Sequence, residues 1–528
     1  MLELRTPAEA ANWLRSHVTG TLQTDSRKLQ PGDGFIAWPG AALDARQFVA
    51  SALVSGARAC LVERLGAEAF GLGSDQVAAY PGLKAASGPI AAAYFDQPSR
   101  QLDVLAVTGT NGKTSTAWWL AQALSNLKLV EPIPCALAGT FGIGEPPSPG
   151  APPGADPLAG VVATGLTTPD PVQLQQALRR FVDRGLKACA LEASSIGLEE
   201  QRLNGTRIRT AIFTNFTQDH LDYHGSMANY WRAKASLFQW PGLQSGVINI
   251  DDEHGAQLAS ALRGKPLDVW TVSCLTAARL QACDIVHGAL GLRFALLERE
   301  PDGAVGERHV LQTRLIGSYN VANLLGVIAA MRCMNVPLGA AVASCADLSP
   351  VPGRMQCWGA PGQPLAAVDY AHTPDALAKA LLALRPLADQ RGGRLCCVFG
   401  CGGDRDTAKR PLMGAIAASH ADCVVVTSDN PRSEKPDAII SQILLGLVGH
   451  PALSVEPDRA QAIAQAFAQA APEDVLLIAG KGHEDYQEVA GRRLPFSDAQ
   501  QVRRALGQWV APGAEPAAEP TIAPGAKA

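Results

Sequence analysis

The run Thr108-Gly109-Thr110-Asn111-Gly112-Lys113-Thr114-Ser115-Thr116 constrains this chain more than any other stretch of it. An apolar, strand-like run, Val104-Leu105-Ala106-Val107, leads into it, and a helix-like run from Thr116 to Leu124 leads out. Strand, glycine turn, Lys-Thr and helix is the layout of a phosphate-binding loop. Backbone N–H groups at the helix N-terminus cradle phosphate oxygens, the lysine neutralises charge, and the hydroxyl reaches Mg²⁺. The common loop has a glycine where this chain has Val107, so this is a shorter T-G-T-N-G-K-T variant. ATP binding is the expectation.

The 528 residues suggest several domains of roughly 150 residues each. With 47% hydrophobic and 18% charged residues, those domains have ample cores. A net charge of −4 argues against a broadly basic nucleic-acid surface. Met1 to Pro7 lacks a basic-then-apolar signal, and no apolar run is long enough to span a bilayer, so the expected location is cytoplasmic. The 12 cysteines are scattered without C-x-x-C pairs and read as reduced, mostly buried thiols.

Three α/β blocks and a tail emerge: 1–98, 99–350, 351–510 and 511–528. The first carries the turn Thr24-Asp25-Ser26-Arg27, a short strand Phe35–Trp38, a helical stretch from Ala45 to Gly56 and a strand at Ala59–Glu63. In the second, candidate strands Ala188–Glu192, Thr210–Asn215 and Gly246–Ile250 alternate with helices, which implies a parallel sheet with crossover helices. Residues 145–160 are rich in Pro and Gly and read as a mobile surface loop. The third block has candidate strands Ala366–Tyr370, Arg394–Phe399, Cys423–Thr427 and Val475–Ala479. Ligands collect at the carboxyl ends of strands in open α/β sheets. The Ala/Pro/Glu-rich tail from Ala511 is expected to be disordered.

Several constellations then draw notice. Glu192, at the end of a strand beside the loop, is placed to hold Mg²⁺ as a Walker-B acid does, rather than merely to cap a turn. Asp219, His220, Asp222 and His224 put four titratable groups into six positions after a strand. Lys234 sits among apolar neighbours in a helical stretch, and composition favours a snorkelling lysine there. Asn320 and Asn323 share a helix face, where they can meet a base edge together or serve as caps. In the third block, Gly400-Cys401-Gly402-Gly403-Asp404-Arg405-Asp406, Asp429-Asn430-Pro431-Arg432 and Gly480-Lys481-Gly482-His483-Glu484 each follow a strand. One such loop alone would be a turn, but three at three strand ends predict a shared pocket.

These motifs resemble the Mur ligases of peptidoglycan synthesis, from about Thr24 to Asp498. T-G-T-N-G-K-T, G-x-x-N-x-x-N and D-Y-A-H-T-P carry the resemblance to the wider family, and D-N-P-R with G-K-G-H-E points to its amino-acid-adding step. The resemblance implies an N-terminal UDP-binding domain, a central P-loop ATPase-like domain and a C-terminal Rossmann-like domain. By this resemblance Thr110, Asn111, Gly112, Lys113, Thr114, Ser115 and Thr116 would hold ATP, with Asn323, Arg354 and Asp369 on the nucleotide. Thr24 and Ser26 would lie at the uridine nucleotide, and Thr167, Thr168, Ser194, Glu200 and Arg202 at the muramoyl-dipeptide. Lys234 matches a lysine that the family carbamylates; with Thr114, Glu192 and His220 it would complete the Mg²⁺ environment. Arg405, Asp429, Asn430, Pro431, Arg432, Gly480 and Glu484 would hold diaminopimelate. The chain departs from the family at Ile196, Leu166, Glu200 and the turn Ala41-Ala42-Leu43, so individual muramoyl contacts there are expected to pass to backbone groups.

The implied reaction is ATP-dependent attachment of meso-diaminopimelate to a UDP-muramoyl-dipeptide through an acyl phosphate, with Lys113, Lys234, His220 and Glu192 as the catalytic set. The partners are then small molecules, without nucleic acid or membrane insertion, and the protein is expected to be a monomer in which the third domain closes over the second. The rivals are an L-lysine-adding Mur ligase, a folylpolyglutamate synthetase-like ligase, and a P-loop switch that hydrolyses ATP without making an amide.

Overall fold

The computed structural model describes residues 1–510 except 41–42, 129, 151–155, 157, 289–290 and 301–302. The tail, Ala41-Ala42 and the centre of the 145–160 loop lie outside the described residues. The chain divides into two compact units, Met1–Ser349 and a second beginning at Pro350.

The first unit holds two sheets. The smaller is parallel throughout, ordered Leu2–Glu3, Val77–Tyr80, Ala59–Glu63, Gly34–Ala37 and Leu22–Gln23. Its central strands are buried on both faces, which is why they read as unbroken apolar runs. The helix Pro7–His17 is started by a capping box, in which Thr6 accepts from the Glu9 amide and Glu9 accepts from the Thr6 amide.

The larger sheet is built around Asp103–Thr108, with Thr210–Phe213 on one side and Ala188–Glu192 on the other, all parallel. Register places Glu192 opposite Val107 and Phe213 opposite Thr108, so three strand ends meet where the phosphate loop begins. The helix Lys113–Ser125 is buried along almost its whole length. The sheet is not parallel throughout. Beyond Asp268–Ser273, the strands Leu280–Gly288, Gly291–Arg299 and Val305–Thr313 form an antiparallel meander, and Gly142–Gly144 and Val161–Val162 extend the other edge antiparallel. The Val305–Thr313 strand is exposed from Val305 to Arg308 and alternates exposed and buried only from Val310 to Thr313, as an outer strand does where it meets the core.

The second unit carries a sheet ordered Gln356–Trp358, Leu365–Asp369, Val475–Ala479, Leu395–Phe399, Cys423–Val426 and Leu453–Val455, parallel except for its first strand. Its neighbouring strands therefore deliver Gly480–Glu484, Gly400–Arg405 and Asp429–Arg432 to one edge. Cys396 and Cys423 are register partners with Cα atoms 4.6 Å apart and are joined in a disulfide. This corrects the expectation of uniformly reduced thiols; the other ten cysteines are free. The pairing is set by strand register across 27 residues, which no C-x-x-C spacing announces. No helix among the described residues is long and apolar enough to cross a membrane.

Candidate active site

The phosphate loop turns on two glycines with positive φ, Gly109 (+143°) and Gly112 (+85°). Gly112 precedes the helix, and no side chain caps it. A Cβ at Gly112 would collide with the Asn323 side-chain oxygen, which puts Asn323 against the loop. Asn323 donates to Asn320 (3.0 Å), and Asn320 donates to the Ile316 carbonyl (2.7 Å). Neither caps the helix start, where Ser318 makes no side-chain cap bond. The Lys113 ammonium donates to the Gly109 and Thr110 carbonyls at 3.0 and 2.9 Å. Thr110 and Asn111 are engaged by the neighbouring loop: the Thr110 hydroxyl meets Thr217 and the Tyr230 hydroxyl, and the Asn111 amide donates to Asn215. Ser115 and Thr116 are buried one turn into the helix.

Glu192 is fully buried. Its carboxylate accepts from the Thr114 hydroxyl (2.9 Å), the Thr140 hydroxyl (3.1 Å) and the Thr140 amide (2.8 Å). A Cβ at Gly139 would run into this carboxylate, so the G-T step at 139–140 is part of the site. Sequence reading missed Thr140 because it lies in a short turn that matches no motif.

Lys234 is 1% exposed, which corrects the snorkelling reading. Its ammonium donates to the Gly109 carbonyl (2.6 Å) and sits 4.4 Å from the Tyr230 ring centre. Burial, reinforced by the nearby Lys113 charge, pushes its pKa well below the usual lysine range. His220 has a left-handed backbone (φ +52°) and packs edge-on to Tyr230. Desolvation, with help from the Lys113 and Lys234 charges, pushes it down to about 4. His224, buried nearby, shares a hydrogen bond with Ser195 (3.0 Å).

The threonine pair lies beside the same strand end. Thr168 donates to the Glu192 carbonyl (2.7 Å), shares a hydrogen bond with Ser194 (2.9 Å) and offers its carbonyl to Arg202 (3.1 Å). The Thr140 and Thr167 hydroxyls lie 3.3 Å apart and share a hydrogen bond, with Thr140 free to accept because its own hydrogen goes to Glu192. Thr24 hydrogen-bonds Asp170, two residues beyond Thr168, and Gln176 donates to Thr21 (2.6 Å). The turn that carries Ser26 is thereby joined to the 167–202 cluster. Glu200 is bonded on both oxygens, to Lys84 (2.6 Å) and the Tyr223 hydroxyl (2.5 Å), so in this arrangement it ties the small sheet's helix to the central region.

In the second unit the three polar loops converge. Asn430 donates to Glu484 (2.8 Å) and accepts from Lys481 (3.0 Å). Arg432 donates to the Gly403 carbonyl (2.6 Å) and lies 3.8 Å from Glu488. Gly480, with φ +119°, lies so close to Asp429 that a Cβ would strike its carboxylate. Pro431 sits between, its carbonyl against Gly403. Arg405 is exposed on the glycine loop, while Asp404 accepts from Ser433. Beneath the loops, Arg459 pairs with Asp498 through two 2.8 Å bonds, both residues fully buried, and donates to the Ala479 carbonyl (2.9 Å). Asp369 accepts from the Met355 amide (2.7 Å), and burial raises its pKa against the opposing charge of Arg354. The Arg354 guanidinium stacks 4.3 Å from the Tyr370 ring centre.

Among the described residues no three His, Cys, Asp or Glu side chains form a ready metal cage. Thr114 and Glu192 are a smaller set of hard oxygen donors, the kind Mg²⁺ uses when phosphates complete its shell.

Comparison with known proteins adds to this geometry. Residues 107–331 match the Mur ligase middle domain and residues 353–482 the Mur ligase, glutamate ligase domain. A UDP-N-acetylmuramoyl-L-alanyl-D-glutamate–2,6-diaminopimelate ligase from Acidovorax sp. (strain JS42) is 60% identical over 96% of this chain and 98% of its own length. The Pseudomonas aeruginosa relative of the same name is 43% identical over 93% and 96%. A solved structure of a ligase with that name superposes with a TM-score of 0.62 at 35% identity, covering 92% of this chain and 94% of that one. A folylpolyglutamate synthase structure from Mycobacterium tuberculosis reaches a TM-score of 0.58 at 17% identity over 75% of this chain and 92% of its own, a likeness of fold alone.

Proposed function

The chain belongs to the Mur ligase family, and from that premise we propose that it joins meso-2,6-diaminopimelate to UDP-N-acetylmuramoyl-L-alanyl-D-glutamate at the expense of ATP. The observation that carries the reading is the 60% identity to a ligase of that name across almost the whole of both chains. Its products are the amide, ADP and phosphate. The activity belongs to the cytoplasm, where nucleotide precursors are made, and nothing in it requires more than a monomer.

An amine cannot displace an oxygen from a free carboxylate, because oxide is too poor a leaving group. The glutamyl carboxylate first attacks the γ-phosphorus of ATP, forming an acyl phosphate and releasing ADP. The amine of diaminopimelate then adds to the acyl carbon, and phosphate leaves from the tetrahedral intermediate. The protein's task is positioning and charge compensation. The Gly112 turn and the first amides of the following helix receive phosphate oxygens, and Lys113 neutralises them. Asn323 lines the same loop. Thr167, Thr168, Ser194 and Arg202 bind the dipeptide end of the UDP substrate, with Thr24 and Ser26 toward its nucleotide.

Mg²⁺ fits beside Thr114 and Glu192 and supplies Lewis-acid stabilisation of the transferring phosphoryl oxygens when bound. Lys234, buried and shifted toward its neutral amine, is in the form that reacts with carbon dioxide; the resulting carbamate adds an anion close to Gly109. His220 stays neutral near pH 7 and is available as a donor or a ligand there. In the second unit Arg432, Asp429, Asn430 and Glu484 offer the paired charges that a zwitterionic diamino acid needs.

The test is ADP release with UDP-muramoyl-dipeptide and a panel of meso-diaminopimelate, L-lysine and L-glutamate. Turnover only with the first supports the proposal. Turnover with L-lysine, with a folate and glutamate, or with ATP alone would each select one of the rivals.

A further inference from the structure

We propose that Lys481 is a positioning residue of the amino-acid pocket, whose buried ammonium locks Asn430 and Glu484 so that one Glu484 oxygen faces the incoming diamino acid. The inference rests on the function proposed above and adds a residue to it. Lys481 has no exposed surface, so it does not reach a ligand itself. A fully buried ammonium is costly unless its hydrogens are used. Two go to Asn430 Oδ1 (3.0 Å) and Glu484 Oε2 (2.8 Å), and the Tyr486 ring lies 5.5 Å away.

The consequence falls on Asn430. Its Oδ1 accepts from Lys481 and from the Glu488 amide (2.9 Å), two donors that fix which end of the side-chain amide is oxygen. Its Nδ2 must then face Glu484 Oε2, to which it donates at 2.8 Å. Oε2 thus receives two hydrogen bonds, while Oε1 of the same carboxylate accepts none among the described residues. A carboxylate held on one oxygen and open on the other is a preorganised acceptor for an ammonium group. The flanking Gly480 (φ +119°) and Gly482 (φ +56°) allow the tight turn that folds the lysine under the loop.

The experiment is steady-state kinetics of the full chain, varying each of the three substrates, for wild type, Lys481→Met, Glu484→Gln and the double variant. Lys481→Met should raise the KM for meso-diaminopimelate about tenfold or more, leaving those for ATP and the UDP substrate within about twofold. If the lysine acts through Glu484, adding Lys481→Met to Glu484→Gln should cost less than about threefold more. An unchanged diaminopimelate KM, a fully multiplicative double variant, or an equal rise in the ATP KM would overturn the proposal. Should Lys481→Met lose its cooperative melt, Lys481→Gln carries the same cycle with a polar, uncharged side chain. Wild-type enzyme that fails to turn over meso-diaminopimelate would remove the substrate assignment, and this inference with it.

Discussion

Thr114 donates its hydroxyl to Glu192 across 2.9 Å, joining the first turn of the phosphate-loop helix to the end of the adjacent strand. Thr140 holds the same carboxylate through its amide and hydroxyl, so the group is fixed before any cation arrives. Glu192→Gln keeps the shape and an acceptor for the Thr140 amide but removes the charge. The Mg²⁺ concentration needed for half-maximal rate should rise, and kcat should fall about 10²-fold. A variant with the wild-type Mg²⁺ dependence would show that the metal sits elsewhere.

Lys113 rests on two carbonyls of its own loop, so its removal costs little packing. Lys113→Ala should melt close to wild type yet lose ligation by about 10²-fold or more, because it removes a charge partner of the transition state. Near-normal turnover would mean that the nucleotide site has been misplaced.

Lys234→Ala should lose ligation, and a short-chain carboxylic acid should restore part of it by standing in for a carbamate. The motive is the buried amine 2.6 Å from the Gly109 carbonyl, with its pKa driven down by burial. Mass spectrometry of the native protein should show carbon dioxide added at Lys234. Full activity in rigorously carbonate-free buffer, with the unmodified mass, would refute this.

The central strands and the phosphate loop were legible because apolar runs and glycine punctuation are local signals. Ala188–Glu192, Ala59–Glu63 and Val475–Ala479 fall where the pattern put them. The meander at 280–313 was not read, since its outer strands mix charged and apolar residues as an exposed face requires. Lys234 was misread for a related reason. Its burial comes from Gly109 and Tyr230, one of them 125 residues away in sequence, and helical composition cannot report that. The Cys396–Cys423 pairing and the Thr140 contacts likewise depend on which strands become neighbours.

His483 makes the second unit sensitive to acid. Burial, aided by the Arg354 and Lys481 charges, pushes it down to about 3 from an ordinary 6.5. Between those values the unfolded chain binds a proton that the native state refuses, so stability rises with pH and is lost as pH falls below 6.5. The slope for one such group is about 1.4 kcal/mol per pH unit. His483→Gln should flatten the fall in melting temperature between pH 7 and pH 5, a range that follows from this linkage. His220, pushed down to about 4, and His224, also lowered, keep a residual acid dependence in the variant. An identical pH profile for wild type and variant would show that His483 takes up its proton as readily in the native state as in the unfolded chain.

Selectivity for meso-diaminopimelate over L-lysine should reside in Arg432. The two amino acids differ in the distal carboxylate, which only a pocket with a cation can reward. Arg432 is held by its backbone, donating from its amide to the Glu488 carbonyl (3.0 Å) and accepting at its carbonyl from Ala490 (2.7 Å). Its guanidinium spends one bond on the Gly403 carbonyl and lies 3.8 Å from Glu488, too loose for a closed fork. That leaves planar N–H groups able to take a carboxylate through two parallel bonds. L-lysine would leave the guanidinium with only the loose 3.8 Å contact to Glu488 and forgo the charge-assisted pair that meso-diaminopimelate makes, which disfavours the wrong substrate. Arg432→Ala should therefore raise the diaminopimelate KM at least tenfold, by the loss of a charge-assisted pair, and leave the ATP KM nearly unchanged. It should also narrow the preference over L-lysine. If wild-type enzyme used both amino acids equally well, Arg432 would have no discriminating role and the pocket would have to be reassigned.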